Sequence, residues 1–531
     1  MIKKFFNKEI NSITIAAVII AGSSLVSRLL GVLRDRILAG QFGAGQTLDV
    51  YYAAFRVPDF IFNIVVMGAI TAGLVPVFTG LINDRKDGKQ TLFSNDNKEA
   101  WALINNLLNL LLLALAVLSV LGFIFAAPLM KILAPGFSDE AMRQATGLTR
   151  IMFLSPIFLG ISSIFGGVLQ SFKRFFAYSF APILYNLGII MGALFFVPVL
   201  GIYGLAWGVV FGAALHMVIQ MSGVFSLNYK YKIFLNLTSK NLRKILSMMV
   251  PRTLTLASSQ INLMAITAIA STLVTGSVTI FNLANNLQYF PVGIFGISFA
   301  VAAFPTLAAV AWSKDKTINS FSGTFRQILF FIVPSTVLFL TLRAQLTRLV
   351  LGSGLFDWNA TVLTMNALGY FALSFFAQAT IPLLIRVFYA RQDSRTPFLI
   401  SLVSVGANIV LSIVLGGRMG VVGLALAFSI SSILNFILLW IFLRHYLGTL
   451  DERRVIVSAA KFSLASLAAG FALQAVKEFL GGKVNMDKVW GLLVQGGTAT
   501  LVGIGVYLLI CYLLRSEEMD SFWQSFKCRF L

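Results

Sequence analysis

The chain has 531 residues, of which 58% are hydrophobic and only 11% are charged. Soluble domains carry roughly 25% charged residues, so most of this chain has lipid rather than water as its solvent. Forty-one Lys and Arg against 20 Asp and Glu give a formal net charge of +21, and the placement of those cations decides whether they mean nucleic acid or membrane topology.

A bilayer-crossing helix needs about 20 mostly apolar residues. In chain order the candidate runs are 11–39, 50–82, 99–126, 148–172, 178–199, 201–226, 242–272, 276–312, 321–346, 360–390, 396–416, 420–446, 456–480 and 487–514, fourteen in all. The first begins near Ile13 and is longer than the apolar part of a cleavable signal, so it reads as a retained span. Pro58, Pro76, Pro291 and Pro305 interrupt long runs and predict kinks or tilts there. The largest polar stretch, 83–98, is a short loop, and no soluble domain is expected. Cys511 in the last run and Cys528 in the tail suggest no disulfide framework.

With these spans, 26 of the 41 Lys and Arg fall on the side of the N-terminus and 9 on the other; the rest lie in or at the ends of spans. That imbalance predicts cytoplasmic N- and C-termini. The positive charge is then mostly topology plus attraction to anionic headgroups, not nucleic-acid binding. An internal repeat is also visible. "MGAITAGLVPVFTGL" (67–81) parallels "FGISFAVAAFPTLAAV" (295–310), and "LQSFKRFFAYSFAPILYN" (169–186) parallels "FYARQDSRTPFLISLVSVGAN" (388–408), at offsets of about 229 and 222 residues. The expected architecture is an all-α integral membrane protein of about 14 helices. It comprises a six-helix bundle over 1–228, a second in parallel repeat over 229–448, and an extra helix pair with a cytoplasmic tail over 449–531. Parallel repeats are a transporter plan that places the substrate between the halves.

Enzyme equipment is scarce. The sequence contains no G-x-x-x-x-G-K-[ST] loop, no H-E-x-x-H and no Cys/His spacing for zinc, so neither cofactor nor metal is expected. His216, alone in an apolar span, reads as a packed, hydrogen-bonded residue. Asp139-Glu140, after Ser138, reads as a solvated helix start.

The exception to the apolar rule is "SRLLGVLRDR" (27–36) in the first run. A charge near mid-membrane costs about 2.5–3.5 kcal/mol on insertion scales. Arg28 and Asp35, seven apart, share a helix face; Arg34 points about 120° from Arg28. A bend at Gly31 would let both arginines turn into a water-filled cavity. Asp35 can pair with either, and a structural ion pair is the rival account of both. Arg36, near the helix end, can equally snorkel. Asp49 opens the second span and Arg56 follows inside it. Guanidiniums suit bidentate contact with phosphate, so a pyrophosphate headgroup fits such a cavity. Asn262, Gln260, Asn282, Asn285, Asn286 and Gln288 could offer amides to a sugar or peptide, or could equally be interhelical glue.

"SRLLGVLRDRILAGQFGAGQTLDVYYAAFRVPD" (27–59) resembles the opening of the MurJ (MviN) family, bacterial lipid II flippases of the multidrug/oligosaccharidyl-lipid/polysaccharide exporter superfamily. "FAPILYN" (180–186) and "FYARQDSRTP" (388–397) are similar to that family as well. The resemblance covers nearly the whole chain. It implies a fourteen-span inner-membrane transporter working by alternating access, which moves undecaprenyl-pyrophosphate-linked peptidoglycan precursor to the outer leaflet for cell-wall biosynthesis. It implies cavity arginines at Arg28 and Arg34, with Asp35 and Asp49 at the family's acidic positions. Family charges are replaced by Phe62, Asn63 and Met67 in span two, and by Asn285 and Asn286 in span eight.

The reading is therefore a flippase for lipid II, with membrane lipids and other cell-wall synthesis proteins as further partners. Its expected site is Arg28, Arg34, Asp35, Asp49, Arg56, Asn262, Asn285 and Asn286. Its tail groove would be supplied by spans thirteen and fourteen. An exporter of another polyprenyl-linked glycan and a non-transporting membrane scaffold are the rivals. Topology is open to direct measurement. In single-cysteine variants, an impermeant reagent added to whole cells should label position 483 and leave position 240 unlabelled; strong labelling at 240 would reverse the orientation.

Overall fold

The computed structural model describes residues 13–67, 73–83, 98–520 and 523. Among these residues every regular element is a helix and none is a strand. Ten helical segments are long and apolar enough to cross a membrane, eleven if Trp358–Ala372 and Phe375–Ala390, bent by 48° at their junction, count as one. The expected runs fall on helices among the described residues, but length and hydropathy do not qualify fourteen of them as spans. In the seventh, only Leu256–Ser271 is a short apolar helix. Residues 68–72 of the second run, residues 84–97 and Cys528 lie outside the described residues.

Packing groups the chain into two units, Met1–Thr272 and Leu273–Leu531. In the first lie α1 (Ile13–Phe42), α2 (Gln46–Phe62) with a π-helical extension Asn63–Met67, α3 (Val75–Asn83), α4 (Lys98–Ile124), α5 (Ala126–Leu133), α6 (Asp139–Met152), α7 (Leu154–Ser171), α8 (Phe175–Met191) with a π-helical turn Gly192–Phe196, α9 (Val197–Leu200), α10 (Tyr203–Phe225) and α11 (Lys240–Ser271). The second holds α12 (Ser277–Pro291) with a π-helical turn Val292–Ile297, α13 (Ser298–Val310), α14 (Lys314–Leu351), α15 (Trp358–Ala372), α16 (Phe375–Ala390), α17 (Arg395–Met419), α18 (Val421–Leu447), α19 (Glu452–Gly481) and α20 (Val489–Leu513). The repeat reading starts its second bundle at 229, ahead of α11. In the structure α11 belongs to the first unit, where Thr253 Oγ1 donates to the Ile64 carbonyl at 3.3 Å.

Local chemistry sets the breaks. Ser138 Oγ accepts the Ala141 N–H at 3.3 Å and starts α6, satisfying one of the free N–H groups of a helix start. Asp357 does the same for α15 through Ala360 N–H at 2.8 Å. The turns repeat more regularly than the sequence does. Positive-φ residues fall at Lys173 and Gln392, Gly201 and Gly420, and Asn228 and Gly448, pairs separated by 219 or 220 residues. Each turn requires the left-handed region, so the recurrence is a backbone signature of the internal repeat.

Two devices hold the first unit. One is a glycine seam between α8 with its π-helical turn and α10. A Cβ at Gly188 would sit 2.2 Å from Gly212 Cα, and one at Gly208 would sit 2.6 Å from Gly192 Cα. Lipid offers no hydrophobic gain to helix pairing, so such close backbone approach supplies the attraction through dispersion. The other is a strap. Asn105, Asn106 and Asn109 on α4 bond the backbone of the segment after α10: Asn105 to Lys230 and Lys232, Asn106 twice to Asn236, Asn109 to Lys232 and Phe234. That segment has no ladder of its own, and these amides satisfy its peptide groups. In the second unit Arg326 reaches Glu518 at 2.5 Å and Glu517 at 2.8 Å, and Ser458 donates to Glu518 at 2.9 Å, tying the chain after α20 to α14 and α19.

Gly208→Leu should break the seam. The expected result is a destabilisation of about 1–3 kcal/mol or more, read as a lower Tm of the detergent-solubilised protein, whereas Gly497→Ala, where a Cβ meets nothing within 4 Å, should leave Tm unchanged or slightly raised.

Candidate functional site

The charged stretch of α1 is helical throughout: α1 runs unbroken from Ile13 to Phe42. The helix does not unwind at Gly31. Helical spacing puts Ser27, Gly31 and Arg34 on one stripe, and all three meet Asn186 of α8. Arg34 Nη1 donates to Asn186 Oδ1 at 3.1 Å, Asn186 Nδ2 donates to the Ser27 carbonyl and hydroxyl at 3.3 Å each, and a Cβ at Gly31 would lie 4.0 Å from Asn186 Oδ1. Gly31 keeps that approach open.

Asp35 pairs with Arg34, not Arg28. Arg34 Nε and Nη2 both reach Asp35 Oδ1, at 3.0 and 2.8 Å. The Arg34 side chain keeps 22% of its surface exposed and the Asp35 side chain 9%. A guanidinium has five N–H donors; three are used here, so two remain for a ligand. Arg28 is partly exposed and makes no ion pair or hydrogen bond among the described residues. The pair is thus a held cation with spare donors, and Arg28 is a second cation about two turns away on the same helix.

Helix α2 adds a polar stripe. Asp49, Tyr52, Arg56 and Asn63 recur at helical spacing. Asp49 is buried in the first turn, where a carboxylate is favoured by the helix dipole. The Tyr52 hydroxyl is buried with no hydrogen-bond partner among the described residues, and its charge interactions include both Arg34 and Asp35. A buried, unsatisfied hydroxyl beside an ion pair costs about 1–3 kcal/mol unless a water or ligand meets it. Arg56 Nε donates to Thr267 Oγ1 of α11 at 3.0 Å. Asn262, half-buried, is on the same helix as Thr267. At the positions where family charges were missing, Phe62 packs against an apolar cluster that includes Val66 and Leu107. The side chain of Met67 lies outside the described residues.

Asn285 and Asn286 belong to the second unit. Asn285 Oδ1 accepts from buried Gln288 at 2.7 Å, Gln288 Oε1 accepts from Gln378 at 2.9 Å, and Gln378 also donates to Ser374 Oγ at 2.8 Å. Ser374 then bonds Ser429 at 2.9 Å, and Ser429 donates to the Tyr370 carbonyl at 2.8 Å. This chain sits at the bend between α15 and α16, where ordinary helical hydrogen bonding is interrupted. Asn285 therefore starts an interhelical network, while Asn286 is exposed. His216 is packed as expected, with Nδ1 2.7 Å from Ser162 Oγ. No group of three or more His, Cys, Asp or Glu among the described residues could hold a metal. The sequence reading missed Asn186 and Tyr52 as site residues. Asn186 closes the repeated "FAPILYN" motif, which was its one visible signal; for Tyr52 there was none.

Comparison with known proteins gives one consistent result. The family model "Lipid II flippase MurJ" matches residues 38–490. The chain is 29% identical over 439 residues to "Lipid II flippase MurJ" of Burkholderia cenocepacia, covering 81% of this chain and 83% of that protein. It is 28% identical over 502 residues to "Probable lipid II flippase MurJ" of Thermotoga maritima, covering 93% and 95%. Among solved structures it is similar to "Lipid II flippase MurJ, inward closed conformation", with TM-score 0.74, 23% identity and coverage of 94% and 98%. It is also similar to an inward-facing multidrug resistance MATE family transporter of the MOP superfamily, with TM-score 0.66, 15% identity and coverage of 80% and 96%. At these identities the structural likenesses establish the fold.

The Arg34–Asp35 pair makes a thermodynamic forecast. Arg34→Gln strands a carboxylate that is nearly out of solvent and should cost about 3–5 kcal/mol. Adding Asp35→Asn should recover most of that loss, measured by thermal unfolding in detergent. Equal Tm values for Arg34→Gln and the double variant would show that the pair is not coupled.

Proposed function

Because the chain belongs to the lipid II flippase MurJ family, we propose that it moves lipid II, the lipid-linked peptidoglycan precursor, from the cytoplasmic to the outer leaflet by alternating access. It is a multi-pass membrane protein; we place it in the bacterial plasma (inner) membrane with both termini cytoplasmic, supported by the distribution of Lys and Arg. The observation that carries the reading is Arg34. It is fixed by Asp35 and Asn186, has two N–H groups to spare, and stands inside an otherwise apolar helix.

In this reading the pyrophosphate binds Arg34 and Arg28. Asp35 and Asn186 set the guanidinium plane in advance, which spares the substrate the ordering cost. Tyr52 offers its unmet hydroxyl, Asp49, Arg56 and Asn262 are the further polar groups proposed in the first unit, and Asn285 and Asn286 are polar substrate contacts proposed in the second. Asn285 is held by Gln288, so it presents its amide with one acceptor already engaged. Asparagines where relatives of the motif carry charges keep hydrogen-bonding capacity without leaving one charge unpaired.

The polyprenyl tail needs an apolar channel. Within the second unit α14, α16, α18 and α19 enclose a cavity of about 590 Å³ lined by Phe325, Leu329, Phe376, Trp440 and Leu467. A second cavity of about 280 Å³ lies against Phe331, Leu473, Gly503 and Tyr507, between α14, α19 and α20. Both support the expectation that the extra helix pair serves the tail. For the chain as a whole we propose bundles over 1–228 and 229–448 and an added pair over 449–531; the turns recurring at 219–220 residues support it.

Two measurements test the reading. Expression of this chain should rescue a bacterium depleted of its own flippase, and in reconstituted vesicles Arg34→Gln should cut lipid II flipping at least about tenfold. The double variant Arg34→Gln with Asp35→Asn should fold well and still fail to flip. Restored flipping in the double variant would reduce Arg34 to a counter-ion and remove it from the substrate site.

A further inference from the structure

One cation in the second unit has no place in the site above. Arg343 lies in α14, eight residues before its last residue, Leu351. It is partly buried and makes no hydrogen bond or ion pair among the described residues. Lys477 of α19 interacts electrostatically with Glu478 and, more weakly, with Arg343, and it donates to the Thr341 carbonyl at 3.0 Å.

A snorkelling arginine would explain an unpaired charge near a helix end, but the geometry is the reverse. With a rise of 1.5 Å per residue, Arg343 Cα is about 12 Å inside the Leu351 end. Its guanidinium meets Gly369, which is eleven residues after Trp358 and so about 16 Å inside the matching end of α15. The side chain therefore leans deeper into the bundle, following the tilt of Cβ toward the helix N-terminus. Gly369 makes room for it: a Cβ there would lie 2.8 Å from Arg343 Nη1.

The guanidinium lines a cavity of about 420 Å³ together with Asn366 and Tyr370, with Leu340 and Leu373 as apolar walls. No carboxylate lines it. Neither the Asn366 amide nor the Tyr370 hydroxyl is engaged with another described residue, so both are available. A buried-side guanidinium, an amide and a phenol around a cavity free of acids form a donor set for an anion.

We propose that the Arg343 cavity is a second phosphate-binding site, contained wholly in the second unit and separate from Arg28 and Arg34. The bound group is a phosphate held by Arg343 in bidentate fashion, with Asn366 and Tyr370 donating to its remaining oxygens. The source is either a phospholipid headgroup or the pyrophosphate of a polyprenyl-linked substrate at another stage of its passage; the second source rests on the flippase reading, the first does not.

The test uses the full chain in neutral detergent carrying Arg28→Gln and Arg34→Gln with Asp35→Asn, so that the two proposed phosphate-binding cations of α1 contribute nothing and no carboxylate is left stranded. Inorganic pyrophosphate, or short-chain phosphatidylglycerol against phosphatidylcholine, is titrated while thermal unfolding is followed by Trp fluorescence. The expected result is a saturable rise in Tm of about 2 °C or more with at least one phosphate probe. Added Arg343→Gln should weaken the apparent affinity about tenfold or more. Arg343→Lys should rescue it only partly, because a point charge cannot make the forked contact. Gly369→Val, which displaces the guanidinium, should act like Arg343→Gln; where that variant unfolds, the two Arg343 variants decide alone. A response to pyrophosphate assigns the substrate group as source, and a response to phosphatidylglycerol alone assigns the headgroup. No response to either probe, or one that persists unchanged in Arg343→Gln, overturns the site. Flipping failure of the wild-type chain with an intact Arg343-dependent response would reject the flippase reading and leave this site standing.

Discussion

The constraint on which the first unit's candidate site depends is the cost of a guanidinium in a helix whose surroundings are apolar. Arg34 can remain there because Asp35 neutralises it and Asn186 takes a third donor. An unpaired charge in such a place would shift the helix toward water or unfold it. Pairing fixes the plane of the guanidinium, and a fixed plane is what recognition of phosphate requires. The same contacts that make the charge tolerable thus make it selective.

That clamp needs α8 to lie close against α1, and α8 is in turn held by α10. The glycine seam brings α8 and its π-helical turn within direct backbone contact of α10. Asn186, two residues before Gly188, is therefore carried on one of the most closely packed helices of the unit. The asparagine strap on α4 serves a different need, because the segment after α10 has peptide groups that neither helix nor sheet satisfies. Polar side chains in this unit are spent on particular unmet donors and acceptors, not scattered as surface.

At the bend between α15 and α16 the second unit satisfies its polar groups with neutral side chains. Asn285, Gln288, Gln378, Ser374 and Ser429 pass hydrogen bonds from α12 to the bend between α15 and α16 and on to α18. Amides and hydroxyls can do this without any counter-ion, and no carboxylate lines the cavity that Arg343 faces. Tyr370 joins the two features, since its carbonyl accepts from Ser429 while its ring lines the Arg343 cavity.

The sequence by itself determined the all-helical membrane architecture, because a span is a local property: about 20 apolar residues with internally satisfied peptide groups need no partner to be recognised. It also marked Arg28, Arg34 and Asp35, since charges stand out against an apolar run. It left open which arginine Asp35 takes, because an i, i+7 face and an adjacent pair are both sterically open on a helix. It marked Gly31 as a point where the helix could bend, but not that Gly31 faces Asn186, 155 residues later in the chain. The Tyr52 hydroxyl, the Asn285–Gln288–Gln378 chain and the Gly369 niche for Arg343 were invisible for the same reason. Each depends on what a distant segment places, or fails to place, beside a side chain, and periodicity tells which face a residue occupies but not what stands opposite it. Only the packing of one helix on another decided those, because unmet polar groups in a lipid-solvated protein must be satisfied by whatever neighbour the fold supplies.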